Sequence, residues 1–165
     1  MGELTAEEIE LRTERRKAFR NFIAGIKPAL MEFADFVGVE NPNTAFEQPE
    51  KFLQVLDIFL KVEDIDKLEQ EDKKSLHLML MYFIGQLLLH RYGGIWFLNE
   101  DHEAKSFLRY VIGYFEKGSV SRNISVDPFS VAEEFMEQMP GRSLIATIKE
   151  TENQMGVQQN DTNKN

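Results

Sequence analysis

Residues 82–103 read YFIGQLLLHRYGGIWFLNEDHE, and the way this stretch divides decides the fold. Tyr82 to Tyr92 continue an oily run in which residues 78–89 are interrupted only by Gly85 and Gln86. That run is well short of the roughly 20 apolar residues needed to cross a bilayer. It therefore reads as a core helix, starting between Asp66 and Glu71 and apolar on nearly all sides, around which other elements pack. Gly93 is placed for the left-handed residue that ends a helix. Beyond it, IWFL and FLRYVIGYF are rich in aromatic and β-branched residues and read as two strands of an antiparallel hairpin, with the polar NEDHEAKS as its loop. Phe107, Val111 and Phe115 are expected on one face of the second strand, and Leu108, Tyr110, Ile112 and Tyr114 on the other.

Working outward toward the N-terminus, Thr5-Ala-Glu-Glu8 has the form of a capping box and predicts a helix start. An apolar stripe at helical spacing then runs through Phe19, Phe22, Ile23, Ile26, Leu30, Phe33 and Val37, ending at Gly38. Pro28 lies inside it and predicts a kink or break near Lys27, because its ring crowds the preceding turn and it has no N–H to donate. ENPNTAFEQPE is loop chemistry. Pro49 suits the first turn of a second helix over 49–61, with Phe52, Val55, Leu56 and Phe59 on one face. Toward the C-terminus, NISV reads as a short third strand. Asp127-Pro128 then makes a sharp helix start, an N-cap followed by proline. That helix carries Phe129, Ala132, Phe135 and Met136 and is expected to stop at Pro140-Gly141. A last helix, from Ser143 to Met155, offers Leu144, Ile145 and Ile148 to the core.

The layout is α+β: a helical N-terminal half around a central buried helix, a small antiparallel sheet (hairpin plus third strand), and two C-terminal helices. Residues 1–155 are expected to form one globular domain, and 156–165, polar and poor in apolar residues, a disordered tail.

Composition narrows function by exclusion. The absence of Cys removes disulfides, thiolate metal sites and cysteine nucleophiles, and fits a reducing compartment. With no apolar core of a signal peptide near the N-terminus, a cytoplasmic location is expected. The net charge is −9, and between Glu63 and Asp72 six acids (Glu63, Asp64, Asp66, Glu69, Glu71, Asp72) face a single base, Lys67. Such a surface repels phosphate backbones, so nucleic acid is not expected as a partner, and the oily run is too short for a membrane to be expected. Arg12, Arg15, Arg16, Lys17 and Arg20 are interleaved with Glu7, Glu8, Glu10 and Glu14, which reads as a solvated, ion-paired helix face.

No HExxH, GxSxG, Walker or GxGxxG pattern occurs. His77 and His90 are thirteen residues apart on the central helix, roughly 140° off one another, and cannot share a ligand from one face. His102 lies in Glu100-Asp101-His102-Glu103, a run whose adjacent side chains diverge and which has no second cluster at ligand spacing. Ser119 and Ser121 lie near Arg122 with no His placed beside them. No catalytic residue, metal or cofactor is assigned. Gly85-Gln86 is more informative. Glycine within a buried helix costs about 1 kcal/mol relative to Ala and implies close approach of another group. A buried Gln needs a partner, and Trp96 can fill the notch with its indole N–H beside Gln86.

The series Gly85, Gln86, Gly93, Gly94, Trp96, Asp127, Pro128, Phe129, Ser143 and Leu144 resembles a pattern of uncharacterised bacterial domain families, over residues 70–150. Those families carry a Gly-Gln/Glu helix, a Gly-Gly-x-Trp turn and an Asp/Asn-Pro-Phe helix start. Gln86 stands where the relatives often have Glu. The resemblance implies an α+β domain, and some similar small domains accompany bacterial toxin systems as immunity proteins.

Two functional readings follow. The first is a non-catalytic protein-binding domain, an immunity or adaptor protein, whose acids at 63–72 and in the hairpin loop (Glu100, Asp101, with His102) meet a basic partner. The second is a small-molecule or enzymatic pocket at the helix–hairpin junction, using Gln86, His90, Arg91, Trp96 and Tyr110. A homodimer through the aromatic hairpin is a further expectation.

Overall fold

The computed structural model describes residues 2–118, 120 and 123–157. Among these, seven α-helices occur: α1 (Ala6–Ala24), α2 (Ile26–Val37), α3 (Thr44–Glu47), α4 (Pro49–Val62), α5 (Gln70–Tyr92), α6 (Pro128–Met136) and α7 (Leu144–Gln154). A 3₁₀ turn, Ile65–Lys67, precedes α5. The strands β1 (Ile95–Leu98), β2 (Tyr110–Gly113) and β3 (Ser125–Val126) form one antiparallel sheet in that order. The fold is α+β with a helical majority, as the sequence implied.

The first helix begins where Thr5 Oγ1 accepts from the Glu8 amide at 3.1 Å. The expected break comes at Gly25, two residues before Lys27, and Pro28 falls in the first turn of α2, where its missing N–H leaves no bond unmade. Gly38, at φ 90° and ψ 24°, stops α2, while the Val39 amide reaches back to the Ala34 carbonyl at 2.9 Å.

The oily helix α5 is the hub. It packs most extensively on α6 and also touches α2, α3, α4 and β2. At its centre Phe83 meets Phe52 of α4 and Phe33 of α2 edge-on, with ring centroids 5.2 and 6.4 Å away. All three rings are fully buried, in the perpendicular arrangement that the ring quadrupole favours. One cluster of buried apolar side chains extends from Ile26 to Met155. Val157 packs against it and donates its amide to the Glu152 carbonyl. Packed structure therefore runs two residues beyond residue 155, the expected end of the domain. Residues 158–165 lie outside the described residues, as do Ser119, Ser121 and Arg122.

Several expectations are corrected. A short helix, α3, lies in the segment read as loop, with Thr44 and Ala45 buried. On α4 the core side is Phe52, Leu53, Leu56 and Leu60, whereas Val55 is exposed. Helix α6 ends at Met136, before Pro140. The first hairpin strand has the expected bounds, whereas the second is shorter and the connection correspondingly longer than expected. Leu108 (φ 63°) and Tyr114 (φ 56°) bracket β2 with left-handed backbone and break the alternation there. At Leu108 this makes a bulge: Asn99 donates to the Arg109 carbonyl but accepts from the Leu108 amide, so two residues oppose one.

The passage from α5 to β1 depends on two glycines. Gly93 adopts φ 69° and ψ −171°, a region accessible essentially to glycine only and not the left-handed helical cap expected. A Cβ on Gly94 would lie 2.4 Å from the Gly113 carbonyl oxygen. The Tyr92 carbonyl, left over at the helix end, accepts from the amides of Glu116 and Lys117 at 2.9 and 2.8 Å. The helix terminus and the exit of β2 are thereby tied together.

Candidate functional site

The helix–hairpin junction is built around Trp96. Its register partner is Ile112, so both side chains lie on the sheet face that meets the helices. The indole fills the notch at Gly85, and its Nε1–H donates to Gln86 Oε1 at 2.8 Å. Phe22 of α1 closes against it edge-on, with centroids 5.0 Å apart. With 7% of its surface exposed, Trp96 joins helix to sheet.

The other residues expected beside it diverge. Arg91 turns away to α4 and α7: its Nε and Nη2 donate to the Glu50 carboxylate at 2.8 and 2.6 Å, and Nη1 reaches Glu152 at 3.1 Å. Tyr92 donates to Glu152 in the same group. The Arg91 guanidinium holds the Glu50 carboxyl below its usual range, and burial pushes the Tyr92 hydroxyl up. His90 is exposed at the end of α5. Tyr110 points to α1, where its hydroxyl donates to the Arg15 carbonyl at 2.7 Å. The five residues thus form no common pocket.

The hairpin loop is docked on the protein's own basic helix. Arg16 Nε donates to Glu100 Oε1 at 2.6 Å, and His102 Nε2 lies 3.1 Å from Glu8 Oε2. The buried Asn99 side chain organises the loop from within, donating to Ser106 Oγ and accepting from the Asp101 amide. The ion pairs of α1 among the described residues thus run across the fold to the hairpin loop, not along the helix as expected. Glu100, though exposed, faces a guanidinium, and Asp101 and Glu103 are the exposed loop acids that form no ion pair among the described residues. Among the described residues, no group of three or more His, Asp or Glu side chains is arranged to hold a metal ion.

The acids at 63–72 are arranged differently. Asp64, Asp66 and Glu71 are exposed, with Lys67 and Lys74 at 3.5 and 3.6 Å from Asp64 and Glu71, and the buried Arg142 at 3.9 Å from Asp66. Val62, which adjoins them in sequence, is 81% exposed and, with Met139 at 80% and Ile58 at 67%, is one of the three most exposed large apolar side chains of the described residues. Ile58 and Val62 are one turn apart on α4. Pro140, next to Met139, lines a groove of about 200 Å³ together with Val62, the acids Glu63, Asp64 and Asp66, and the cations Lys61 and Arg142. Val55, Ile58 and Val62 form a second apolar stripe on α4. Val55, expected on the core face, belongs to this exposed stripe.

A second concavity, of about 370 Å³, opens where α1, α5, β2 and α6 meet. Phe22, Met81, Tyr82, Tyr110 and Phe129 form its walls, and Arg15 and Arg109 also line it. Of the expected site residues only Tyr110 reaches it.

Comparison of the chain with protein-family models, with curated proteins and with solved structures finds no match in any of the three. No described helix is long and apolar enough to cross a membrane.

Proposed function

We infer that the chain is a non-catalytic protein-binding domain of a bacterial cytoplasm, of the immunity or adaptor kind, which presents an acidic surface to a basic partner. The observation that carries this reading is the exposed Val62, which lines a groove with Glu63, Asp64 and Asp66, with exposed Ile58 one turn back on the same helix and exposed Met139 preceding Pro140 of that groove. Solvated acids alone give weak attraction, and an exposed apolar group alone gives no selectivity. Together they match the anatomy of a transient interface, an apolar centre that supplies affinity within a charged rim that speeds encounter. The conspicuous polar groups elsewhere are engaged in the fold. Arg91 links three helices, Asp57 holds the start of α7, and His77 bonds the Phe129 carbonyl at 2.9 Å. These engagements leave recognition by surface as the better-supported role.

The test uses the product of the adjacent gene, in two steps. Affinity is measured for the wild-type chain, for Val62→Asp with Met139→Asp, and for Glu63→Lys with Asp66→Lys. The apolar pair of substitutions should abolish binding. The charge reversals should slow association by about tenfold or more at low salt and by much less at high salt. Co-expression with that neighbour then distinguishes an immunity protein, which restores growth, from an adaptor, which does not. Binding that both variants retain would reject this surface.

A further inference from the structure

We propose that the cleft between α1, α5, β2 and α6 binds an amphipathic carboxylate, a ring or short acyl chain bearing one negative charge, with the apolar body against Phe22, Met81 and Phe129 and the carboxylate at Arg15. The cleft shares no residue with the acidic end, so this site stands or falls independently of the protein-binding role.

The size is right for such a body. A cavity of about 150 Å³ accommodates a benzene ring, and about 370 Å³ is available here. That lies within the range of small-molecule sites. The walls are apolar although two of them are tyrosines. The Tyr82 and Tyr110 hydroxyls donate to backbone carbonyls of α1, at Phe22 (3.4 Å) and Arg15 (2.7 Å), so their polar ends are already used. Burial raises the pKa of both hydroxyls, which keeps them neutral and free of repulsion toward an anion. Leu78, half exposed at the cleft, is an apolar surface that a bound ring or chain would cover.

The charge points the same way. Among the described residues no carboxylate forms an ion pair with Arg15, whose guanidinium carbon lies 5.8 Å from the centroid of the Tyr110 ring. Arg109 is held by Asp127 and Ser130 through a single nitrogen, Nη1, at 2.8 and 2.9 Å, and its guanidinium lies 5.0 Å over Phe129. In a chain of net charge −9, the cleft is lined by two cations and no carboxylate. A neutral apolar ligand would leave Arg15 without a counter-charge, and a polyanion would find no convergent cluster of donors. A single carboxylate on an apolar body satisfies both halves of the cleft.

Naphthalene-1-acetate and its neutral amide are the probes, titrated into the full chain and followed by amide and side-chain NMR shifts and by calorimetry. The acid should saturate with shifts concentrated on Phe22, Tyr82, Tyr110 and Phe129, and should bind about tenfold or more tightly than the amide, the worth of one charge-assisted hydrogen bond. Arg15→Gln should erase that preference while leaving the melting temperature unchanged. Leu78→Trp, a change at an exposed position that covers the mouth, should weaken acid and amide alike. Equal affinity for acid and amide, retention of the preference in Arg15→Gln, or shifts centred elsewhere would overturn the assignment, as would no saturation up to the solubility of the acid.

Discussion

A methyl group on residue 85 would lie 2.1 Å from Cζ2 of Trp96. The central helix can meet the sheet only because it has no side chain there. Alanine is the better helix former by about 1 kcal/mol, so on propensity alone Gly85→Ala would stabilise the protein. The clash is with a rigid ring wedged between Phe22 and Tyr82. Overpacking of this kind costs about 1–3 kcal/mol, and at so short a distance the upper end applies. Gly85→Ala is expected to lower stability by about 2 kcal/mol in denaturant unfolding. An unchanged or raised midpoint would show that the indole is free to move.

Gln86 supplies the acceptor for the Trp96 indole N–H. Gln86→Leu keeps the volume and removes that acceptor, leaving a buried donor unpaired at a cost of about 1–3 kcal/mol. Because Trp96 is the only tryptophan, its emission reports on this site without interference. Gln86→Leu should shift the folded-state spectrum as well as lower the unfolding midpoint. Gln86→Glu retains an acceptor and should shift the spectrum less.

Asp57 is buried on α4, yet it holds the start of α7. Its Oδ1 accepts from the amides of Leu144 and Ile145 at 2.7 and 3.2 Å, and Oδ2 meets Lys61 at 3.0 Å. Burial would raise this carboxyl, but the Lys61 ammonium and the two amides outweigh it, so it is held below its ordinary 3.8. A carboxyl depressed in the folded state adds stability that is present above its unfolded pKa and lost as pH falls through the folded one. Asp57→Ala should cost about 3 kcal/mol at pH 7, and Asp57→Asn, which still accepts from the amides, about 1 kcal/mol. The difference between wild type and Asp57→Asn should be complete at pH 6 and should close below about pH 4. A gap unchanged down to pH 2.5 would mean that the charge contributes nothing.

Local chemistry made much of this fold legible. The uniform oiliness of 78–89 marked the hub, Asp127-Pro128 and Ser143 marked helix starts with their own side-chain caps, and Gly38 marked a stop. Features that depend on distant partners were not legible. Helix α3 is one turn, whose short run carries no periodic signal and whose Thr44 and Ala45 are buried against other elements. Val55 belongs to one of two apolar stripes on α4, and periodicity alone does not say which stripe the core takes. Glu100 was readable as an acid but not as the partner of Arg16, 84 residues away. The cleft draws on four separate segments, so no single motif announces it.

The docking of the hairpin loop on α1 separates local order from global stability. Arg16 and Glu100 are largely exposed, and such pairs contribute about 0–1 kcal/mol to folding. Arg16→Ala should therefore leave the unfolding midpoint almost unchanged while amide exchange over residues 100–107 accelerates, because the loop has lost its tie to the helix. Salt near 1 M, which shortens the screening length to about 3 Å, should produce part of the same acceleration in the wild type. Asn99→Ala acts from inside the loop, removing the bonds to Ser106 and to the Asp101 amide. It should raise exchange over the same residues and also cost about 1 kcal/mol or more in global stability. Exchange indifferent to both Arg16→Ala and salt, but sensitive to Asn99→Ala, would show that the loop is held by its own turns and that its contact with α1 is incidental.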